Sequence, residues 1–369
     1  MDTMKSTNDS SNYLEIQNVT MIFNEDSDDS CVAVKDISFT VKKGDFVTIL
    51  GPSGCGKTTT LRMVGGFIKQ TSGTIKLNGK PIDNVETFNR NMPMVFQNFA
   101  LFPHLNVFDN ISYGLKIRKV PNQIIKNEVA MICCVMNLVG LENRFPGDLS
   151  GGQQQRVSLA RALVLKPSMI LFDEPLSNLD AKLRIQTRIE IKKIQKLLGI
   201  TALYVTHDQA EALSVSDQII VMNRGKIIQI GTPAEIYHNP KTPFVADFIG
   251  NSNFLEAKIS EINGNEVTLC FNDKFLIVKK NAIDFIEGEQ VFLAIKPEAI
   301  TFSKEETDFS AVIDIISFLG TTIEYKLKFE NSFITVIQFN TSDIAKKQYT
   351  FGDKVYLKFD EQSFNIYKS

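Results

Sequence analysis

The sequence lacks the features that would place the protein outside the cell or within a membrane. No apolar run reaches the 18 or so residues that a transmembrane helix needs, and the polar stretch Met1 to Asn12 has no apolar core of the secretory-signal kind. The five cysteines form no paired spacing typical of a zinc site, and their odd number argues against a disulfide framework. These absences predict a cytoplasmic chain with reduced thiols.

An excess of charge of one sign is also missing. Lys and Arg total 40 against 42 Asp and Glu, so the formal net charge is −2. No basic field invites nucleic acid, and we expect no nucleic-acid partner. A hydrophobic content of 43% is sufficient for packed cores, and a length of 369 residues favours two domains.

A glycine-rich loop stands between an apolar run, Phe46 to Leu50, and a helical pattern. Its glycines let successive backbone N–H groups point at a phosphate, and the helix N-terminus adds partial positive charge. Lys57 then supplies a full charge to the β- and γ-phosphates, and the Thr58 hydroxyl becomes a ligand of Mg²⁺. An ordinary strand-to-helix loop is the competing interpretation. The residues predicted to hold the nucleotide are Gly51, Pro52, Ser53, Gly54, Cys55, Gly56, Lys57, Thr58 and Thr59.

A second predicted anion site opens the helix that follows Leu149. Ser150, Gly151 and Gly152 leave backbone N–H groups free at a helix N-terminus, and Gln153 follows them. The chain therefore has two candidate phosphate sites.

Carboxylates end the apolar strand that begins at Met169. Asp173 is placed to hold Mg²⁺ through water, and Glu174 is placed to polarise or deprotonate an attacking water. His207 ends another apolar strand, which we expect to be parallel to the first. A lone histidine is more often structural, but this edge of an α/β sheet is where ligands bind, so a γ-phosphate contact is favoured.

The remaining candidates rest on weaker patterns. Gln97 ends an apolar strand and could reach Mg²⁺ and the attacking water, or it could be a solvated strand end. Phe23 could stack on adenine, although a core phenylalanine is favoured from the residues alone. The segment 98–105 is predicted to be an exposed docking loop. An oxidant could block the nucleotide at Cys55, but a small residue that fills the loop is favoured.

The order of patterns predicts an α/β P-loop domain followed by a small all-β barrel of the OB type. Residues 106–144 are predicted to form a mostly helical insertion, and residues 181–198 a solvated amphipathic helix. Short alternating strands begin after about Gly250, without an acid/base cluster. We expect a disordered tail (residues 1–12), a nucleotide-binding domain (13–250) and a β-barrel regulatory domain (251–369). The apolar face predicted for the insertion consists of Val129, Ile132, Cys133, Met136 and Val139.

Residues 13–250 resemble the ATPase subunits of ABC transporters. The resemblance is carried by the P-loop, the motif Leu149 to Gln153, the Asp173-Glu174 strand end and His207. It implies ATP and Mg²⁺ as ligands. The implied roles are the adenine-stacking aromatic for Phe23, the Q-loop glutamine and metal contact for Gln97, the signature for Ser150 to Gln153, the catalytic base for Glu174, the D-loop aspartate for Asp180 and the switch histidine for His207.

The family implies a head-to-tail homodimer in which the signature of one copy contacts the ATP of the other. It further implies two membrane permease subunits, an extracytoplasmic solute-binding protein reached through the permease, and a peripheral location on the cytoplasmic face of the inner membrane. The function expected is ATP hydrolysis coupled to uptake of a small polar solute. A soluble, non-transport ABC ATPase would usually carry two cassettes or long insertions, and Glu174 and His207 argue against a regulator that no longer hydrolyses ATP.

The C-terminal region, with Ala294 to Glu298 (AIKPE) in place of the more usual Arg-Pro-Glu, resembles the TOBE extension of importer ATPases. Those importers serve iron(III), polyamines, sugars, sulfate or phosphonates. Residues 99–105, 203–209 and 247–254 are most similar to the iron(III) and polyamine branches. Ferric iron is the favoured solute, spermidine or putrescine is the alternative, and phosphonate, sulfate and sugars follow.

Overall fold

The computed structural model describes residues 12–25, 27, 29–264, 266–271, 274–279, 285–330, 332–341, 349–360 and 363–368. Apart from Asn12, the tail predicted to be disordered lies outside these residues. The chain divides into two compact units, one up to Pro233 and one from Ala234. The division comes earlier than the composition change near Gly250, because two short helices belong to the second unit.

Two sheets form the first unit. One is antiparallel, with strand order β2-β1-β4-β5, and the other has six strands in the order β10-β9-β3-β8-β7-β6. Neighbours in the six-stranded sheet are parallel except for β9 and β10. The strands are β1 Asn12–Phe23, β2 Cys31–Lys42, β3 Phe46–Leu50, β4 Ser72–Leu77, β5 Lys80–Pro81, β6 Met94–Val95, β7 Met169–Asp173, β8 Thr201–Thr206, β9 Gln218–Asn223 and β10 Lys226–Gly231.

Every residue of β3, β7 and β8 is buried. Continuous apolar runs are expected of parallel strands that are covered on both faces, so these three strands form the middle of the unit. Because they are parallel, their carboxyl ends meet at one edge, where the predicted site residues follow them. The α-helices in the described part of the chain are α1 Lys57–Gly65, α2 Val107–Ile117, α3 Asn122–Val135, α4 Gly151–Leu163, α5 Ala181–Leu198, α6 Gln209–Val215, α7 Pro233–His238 and α8 Pro243–Phe248.

The predicted helical insertion contains α2 and α3. Its expected apolar face is buried at Val129, Ile132, Cys133 and Met136, but Val139 is 68% exposed. The prediction for Val139 was wrong because α3 ends at Val135 and the chain then turns at Asn137, whose φ is 52°. No helix in the described part of the chain combines the length and apolarity that a membrane span requires.

The second unit confirms the predicted all-β domain. Its described residues form two five-stranded antiparallel sheets, in the orders β13-β12-β11-β14-β20 and β15-β19-β16-β17-β18, which share one apolar core. Strands β15 and β20 were missed, since each is only a few residues long. The strands are β11 Asn253–Asn263, β12 Glu266–Phe271, β13 Lys274–Lys279, β14 Gln290–Ile295, β15 Ile300–Ser303, β16 Ser310–Phe318, β17 Thr322–Phe329, β18 Ser332–Phe339, β19 Lys354–Phe359 and β20 Phe364–Lys368.

Buried polar groups fasten α7 and α8 to the sheets of the second unit. Lys296, just after β14, donates from Nζ to the carbonyls of Ala246 (3.1 Å) and Ile249 (3.3 Å) at the end of α8. The same ammonium lies 4.9 Å from the ring centroid of Tyr237 in α7. The Tyr237 hydroxyl in turn donates to Glu298. Burial lowers the pKa of Lys296, and the nearby carboxylates of Glu298 and Asp247 partly oppose that shift.

Candidate functional site

The glycine-rich loop joins β3 to α1 at the carboxyl edge of the six-stranded sheet. Gly56 precedes α1 and has a φ of 100°, a conformation that side chains with a Cβ rarely adopt. A Cβ at Gly56 would lie 2.5 Å from the carbonyl oxygen of Ala33, and one at Gly51 would lie 2.3 Å from that of Met222. Both positions therefore require glycine, and the loop can fold tightly enough to present its N–H groups.

The other residues of this loop differ in exposure. Ser53 and Gly54 are exposed, Pro52 and Thr59 are partly buried, and Cys55 is buried. Burial raises the pKa of the Cys55 thiol and so disfavours the reactive thiolate. This agrees with Cys55 as a small residue that fills the loop rather than as a redox-sensitive one.

Lys57 and Thr58 begin α1 and place their polar groups next to the loop and to β7. Lys57 is only 4% exposed, and its Nζ donates to the carbonyls of Gly51 and Pro52, each at 2.9 Å. The Thr58 hydroxyl donates to Asp173 Oδ1 at 2.9 Å. Burial raises the pKa of Asp173, and the Thr58 hydrogen bond partly opposes that rise. The hydroxyl and carboxylate oxygens are of the type that Mg²⁺ prefers, so these two side chains could hold that ion.

Glu174 and His207 meet at the ends of β7 and β8. Glu174 Oε2 lies 3.0 Å from His207 Nδ1, and the strands that carry these residues are parallel and adjacent. Glu174 has a φ of 46°, which is unusual for a residue other than glycine. Its N–H donates to the Val205 carbonyl at 3.0 Å, and its own carbonyl accepts the Ser177 hydroxyl at 3.0 Å. The backbone is thus held in a strained form that directs the carboxylate toward His207.

A pocket of about 110 Å³ lies beside this pair and is partly lined by a buried carboxyl group. Glu211 is 3% exposed, and its Oε2 accepts the Tyr204 hydroxyl at 2.9 Å and the Thr206 hydroxyl at 2.7 Å. Burial raises the pKa of Glu211. The pocket is lined by Glu174, Ser177, Arg184, Thr206, His207, Asp208 and Glu211.

Gln97 lies just beyond β6, which is shorter than predicted and ends at Val95. Gln97 is exposed, and its backbone carbonyl accepts a hydrogen bond from Asn178 Nδ2 at 3.0 Å. Sequence reasoning missed Asn178, since no pattern indicates which residue of the loop after Glu174 faces Gln97. The prediction that the whole following segment is exposed was wrong, because Phe99 is 7% exposed and belongs to the core of the unit.

Ser150 and Gln153 form a reciprocal capping box at the start of α4. Ser150 Oγ accepts from the Gln153 N–H at 3.4 Å, and Gln153 Oε1 accepts from the Ser150 N–H at 2.9 Å. Gly151 and Gly152 follow as the first helical residues, and a Cβ at Gly152 would lie 2.9 Å from Leu183 Cδ1. Because neither glycine has a side chain, little covers the backbone at the start of α4.

Asp180 and Phe23 lie at the ends of two other elements of the first unit, helix α5 and strand β1. Asp180 caps α5 by accepting from the Leu183 N–H at 2.9 Å. Phe23 ends β1 and is 39% exposed, so it is not the core phenylalanine that the residues alone favoured. An aromatic face on the surface is available for stacking.

The chain matches two known family models and several known proteins. Residues 34–177 match the ABC transporter family model, and residues 293–364 match the TOBE domain model. The spermidine/putrescine import ATP-binding protein PotA of Acetivibrio thermocellus is 44% identical over 356 residues, covering 96% of each chain. The same-named protein of Clostridium novyi is 46% identical over 319 residues, covering 86% of this chain and 88% of its own.

The chain belongs to the ABC transporter ATPases. It is an importer-type ATP-binding protein with a TOBE domain, and it hydrolyses ATP in connection with transport. The dimeric ATP-binding cassette MJ0796, in a post-hydrolysis state with ADP and Pi, matches with a TM-score of 0.54 and 30% identity over 60% of this chain and 98% of its own. CbiO1 from Clostridium perfringens, part of the ABC transporter complex cbiONQ, matches with a TM-score of 0.57 and 30% identity over 61% and 90%.

Proposed function

We propose that this ABC ATPase drives the import of a polyamine, spermidine or putrescine. The proposal rests on relatives named as spermidine/putrescine import proteins that are 40–46% identical over most of the chain. Ferric iron, which the sequence favoured, finds no support among them. The solute itself is bound by other subunits, so the residues described above determine the power stroke rather than the cargo.

The nucleotide binds at the edge of the six-stranded sheet. The N–H groups of the loop from Gly51 to Thr59 hold the phosphates, with the Lys57 ammonium as their counter-charge. Adenine stacks on Phe23. Thr58 and Asp173, with Gln97, would hold Mg²⁺, which would stabilise charge on the phosphates when bound. The hydrogen bond between Thr58 and Asp173 supports this role, since it places the hydroxyl oxygen of Thr58 2.9 Å from a carboxylate oxygen of Asp173.

Glu174 acts as the general base. Its carboxylate takes a proton from water while the water oxygen bonds to the γ-phosphorus, and the bond from that phosphorus to the β–γ bridging oxygen breaks. The products are ADP and phosphate. His207 orients the carboxylate through the 3.0 Å contact and interacts with the γ-phosphate. This contact, next to the phosphate loop, is the observation that carries the proposed mechanism.

A second copy completes each site. Residues 150–153 and Asp180 of one copy face the ATP bound to the other, which makes the working unit a head-to-tail homodimer. The dimer docks peripherally on two permease subunits at the cytoplasmic face of the membrane, and an extracytoplasmic binding protein delivers the solute to them. ATP binding closes the dimer and hydrolysis releases it, so that binding energy becomes motion.

Replacement of Glu174 by Gln tests both parts of this proposal. The change removes the base but keeps its size, so turnover of the transport complex should fall by at least about 100-fold while an ATP-bound dimer accumulates. Uptake of labelled putrescine and of labelled ferric iron is then measured in cells that make only this variant. We expect the loss of polyamine uptake alone.

Glu128→Gln is the matched control, because Glu128 forms a surface ion pair with Lys166 away from the site. It should leave turnover and uptake unchanged. Normal turnover in Glu174→Gln would overturn the mechanism. Loss of iron uptake with unchanged polyamine uptake would overturn the solute assignment and leave the ATPase intact.

A further inference from the structure

The residues on both sides of His207 form a closed ring of hydrogen bonds. The Thr206 hydroxyl oxygen accepts from the Asp208 N–H at 3.0 Å, which makes a tight turn around His207. The Asp208 carboxylate caps α6 by accepting from the Glu211 N–H at 2.9 Å. The Glu211 carboxylate closes the ring, because it accepts from the Thr206 hydroxyl at 2.7 Å. His207 therefore lies in a turn whose two other residues are both bonded to Glu211.

Glu211 determines the direction in which the Thr206 hydroxyl points. A threonine hydroxyl can rotate, but here its proton is directed at Glu211 Oε2, which leaves a lone pair of the oxygen for the Asp208 N–H. Tyr204 holds the same Oε2 atom by a hydrogen bond of 2.9 Å. Tyr204, Thr206 and Glu211 are all buried, so water does not compete for these bonds.

The imidazole of His207 has little packing of its own to hold it in place. The His207 side chain is 53% exposed, whereas that of Glu174 is 19% exposed. An exposed side chain changes rotamer readily, so the position of its backbone decides which groups it can reach. The 3.0 Å contact between His207 Nδ1 and Glu174 Oε2 therefore depends on the turn from Thr206 to Asp208.

The ring lies directly beside the proposed general base, since Glu211 lines the same pocket of about 110 Å³ as Glu174 and His207. We propose that Glu211 is a positioning residue for ATP hydrolysis, which acts through the Thr206 hydroxyl to hold His207 where it meets Glu174. Glu211 takes no part in the proton transfer itself. This inference rests on the proposed function, in which His207 orients the Glu174 carboxylate and interacts with the γ-phosphate.

Two substitutions that keep the side-chain volume test the ring in the transport complex. Thr206→Val removes the hydroxyl, and Glu211→Leu removes the oxygen that accepts from it. Each should lower turnover at saturating ATP by about 10- to 100-fold, since His207 leaves the reactive geometry. Affinity for a fluorescent ATP analogue should change by less than about twofold, because the phosphate loop is not altered. Conservative variants should keep the function: Thr206→Ser retains the donor and Glu211→Gln retains the acceptor, so turnover should stay within about threefold of the parent.

Thr48→Val is the matched control. Thr48 is also a buried strand threonine, and its hydroxyl oxygen accepts from the Ser216 hydroxyl at 2.6 Å. The change therefore removes the same group from a neighbouring strand, outside the ring around His207. It should lower the thermal stability as Thr206→Val does while leaving turnover unchanged.

A double-mutant cycle with His207→Ala shows whether the ring acts through the histidine. His207→Ala should itself lower turnover, because it removes the imidazole that contacts Glu174. In that background, Glu211→Leu should lower turnover by no more than about twofold further, since the group that it positions is already gone. The low rates are measured with radiolabelled ATP. Thr206→Val gives the same cycle and keeps the test usable if Glu211→Leu folds poorly.

Two outcomes would overturn the inference. One is unchanged turnover in both Thr206→Val and Glu211→Leu. The other is an equal fall in turnover with and without His207, which would mean that the ring has a purely structural role. If His207→Ala alone hydrolyses ATP at the parent rate, the proposed role of His207 fails, and this inference fails with it. The His207→Ala variant therefore distinguishes the two failures.

Discussion

The two units use their buried polar groups for different purposes. In the first unit, the buried Lys57 and Asp173 and the half-buried Glu174 lie at or next to the ends of parallel strands, at one edge of the sheet. In the second unit, Lys296 is buried equally well, but its bonds run to helix carbonyls and a tyrosine ring. Burial of a charged group therefore does not by itself indicate chemistry, whereas convergence at strand ends does.

Backbone strain is distributed in the same way. Among the described residues up to 233, the left-handed residues other than glycine, asparagine and aspartate are Phe99, Ala100, Lys119, Lys166, Glu174 and Arg224. Phe99, Ala100 and Glu174 belong to the nucleotide site or the loop beside it. Among the described residues from 234 onward, the left-handed residues other than glycine are Asn251 and Glu330. Asparagine tolerates this region readily, so Glu330 is the strained position among them, against six in the first unit. The comparison predicts that equivalent changes will lower activity in one unit and stability in the other.

The largest difference is expected for a Cβ added to a glycine in each unit. Gly56→Ala should lower ATP affinity by more than about 100-fold, since a left-handed φ and a 2.5 Å approach to the Ala33 carbonyl both oppose it. Gly264→Ala, at a φ of 60° with no atom within 4 Å, should cost about 1 kcal/mol of stability and leave ATP binding unchanged. Calorimetric ATP titration and thermal unfolding distinguish the two. Retained ATP binding in Gly56→Ala would contradict the proposal that this loop holds the phosphates.

A change to the Thr58 hydroxyl should affect activity with little loss of stability. Thr58→Val removes the oxygen that donates to Asp173, and turnover should fall by about 10- to 100-fold. Thr58→Ser keeps the oxygen and should retain most of the turnover. Steady-state ATPase rates at saturating ATP decide the matter, and equal rates for the valine and serine variants would exclude a role for the hydroxyl.

For Lys296 we expect a loss of stability with no loss of activity. Lys296→Met leaves the carbonyls of Ala246 and Ile249 without their donor, so the free energy of unfolding of the second unit should fall by about 1–3 kcal/mol. ATP hydrolysis per folded molecule should not change. Tyr367→Phe loses a single hydrogen bond, to the Pro240 carbonyl, and should cost about 1 kcal/mol. Denaturant unfolding monitored in each unit provides the measurement, and lower hydrolysis with unchanged stability would reverse the comparison.

The smallest effect concerns Glu211, a buried carboxyl group of the first unit that does not contact the predicted phosphate loop. Burial raises its pKa above the ordinary value of 4.5, so the folded state binds its proton more tightly than the unfolded state does. The stability that protonation contributes is present at low pH and is lost as the pH rises through the folded pKa. Glu211→Gln keeps an acceptor for the hydroxyls of Tyr204 and Thr206 without this penalty.

The melting temperature of Glu211→Gln relative to the parent should therefore increase from pH 5 to pH 8, by less than about 3 °C. A difference that is independent of pH would show that the carboxyl group does not titrate in this range. Thermal unfolding at several pH values is sufficient for this test.

Much of the first unit could be predicted because its motifs coincide with its strongest patterns. Helix α5 has the predicted bounds, and β3, β7 and β8 end where the phosphate loop, Asp173 and His207 were expected. Apolar runs and caps are local features, so a single sequence reveals them. The contact between Glu174 and His207 was consistent with the expected parallel strands, although their separation of 33 residues hides it in the sequence.

The rest depended on contacts between distant residues. The burial of Phe99 could not be predicted, because nothing in the residues around it indicates a left-handed backbone held by Arg161 of another element. Helices α7 and α8 were missed since each has six residues and begins at a proline next to other turn signals. Their attachment to the second unit depends on Lys296, which the sequence showed only as a departure from the usual arginine.

The left-handed backbone of Glu174 has a consequence for protein engineering. A redesign guided by backbone conformation alone would replace Glu174 and Ala100 by glycine or asparagine, since these residues adopt positive φ at lower cost. Relief of this strain would raise the melting temperature, but the change at Glu174 would remove the proposed general base. Stabilising substitutions in this ATPase should therefore be sought at other positions, and the strained residues should be left unchanged.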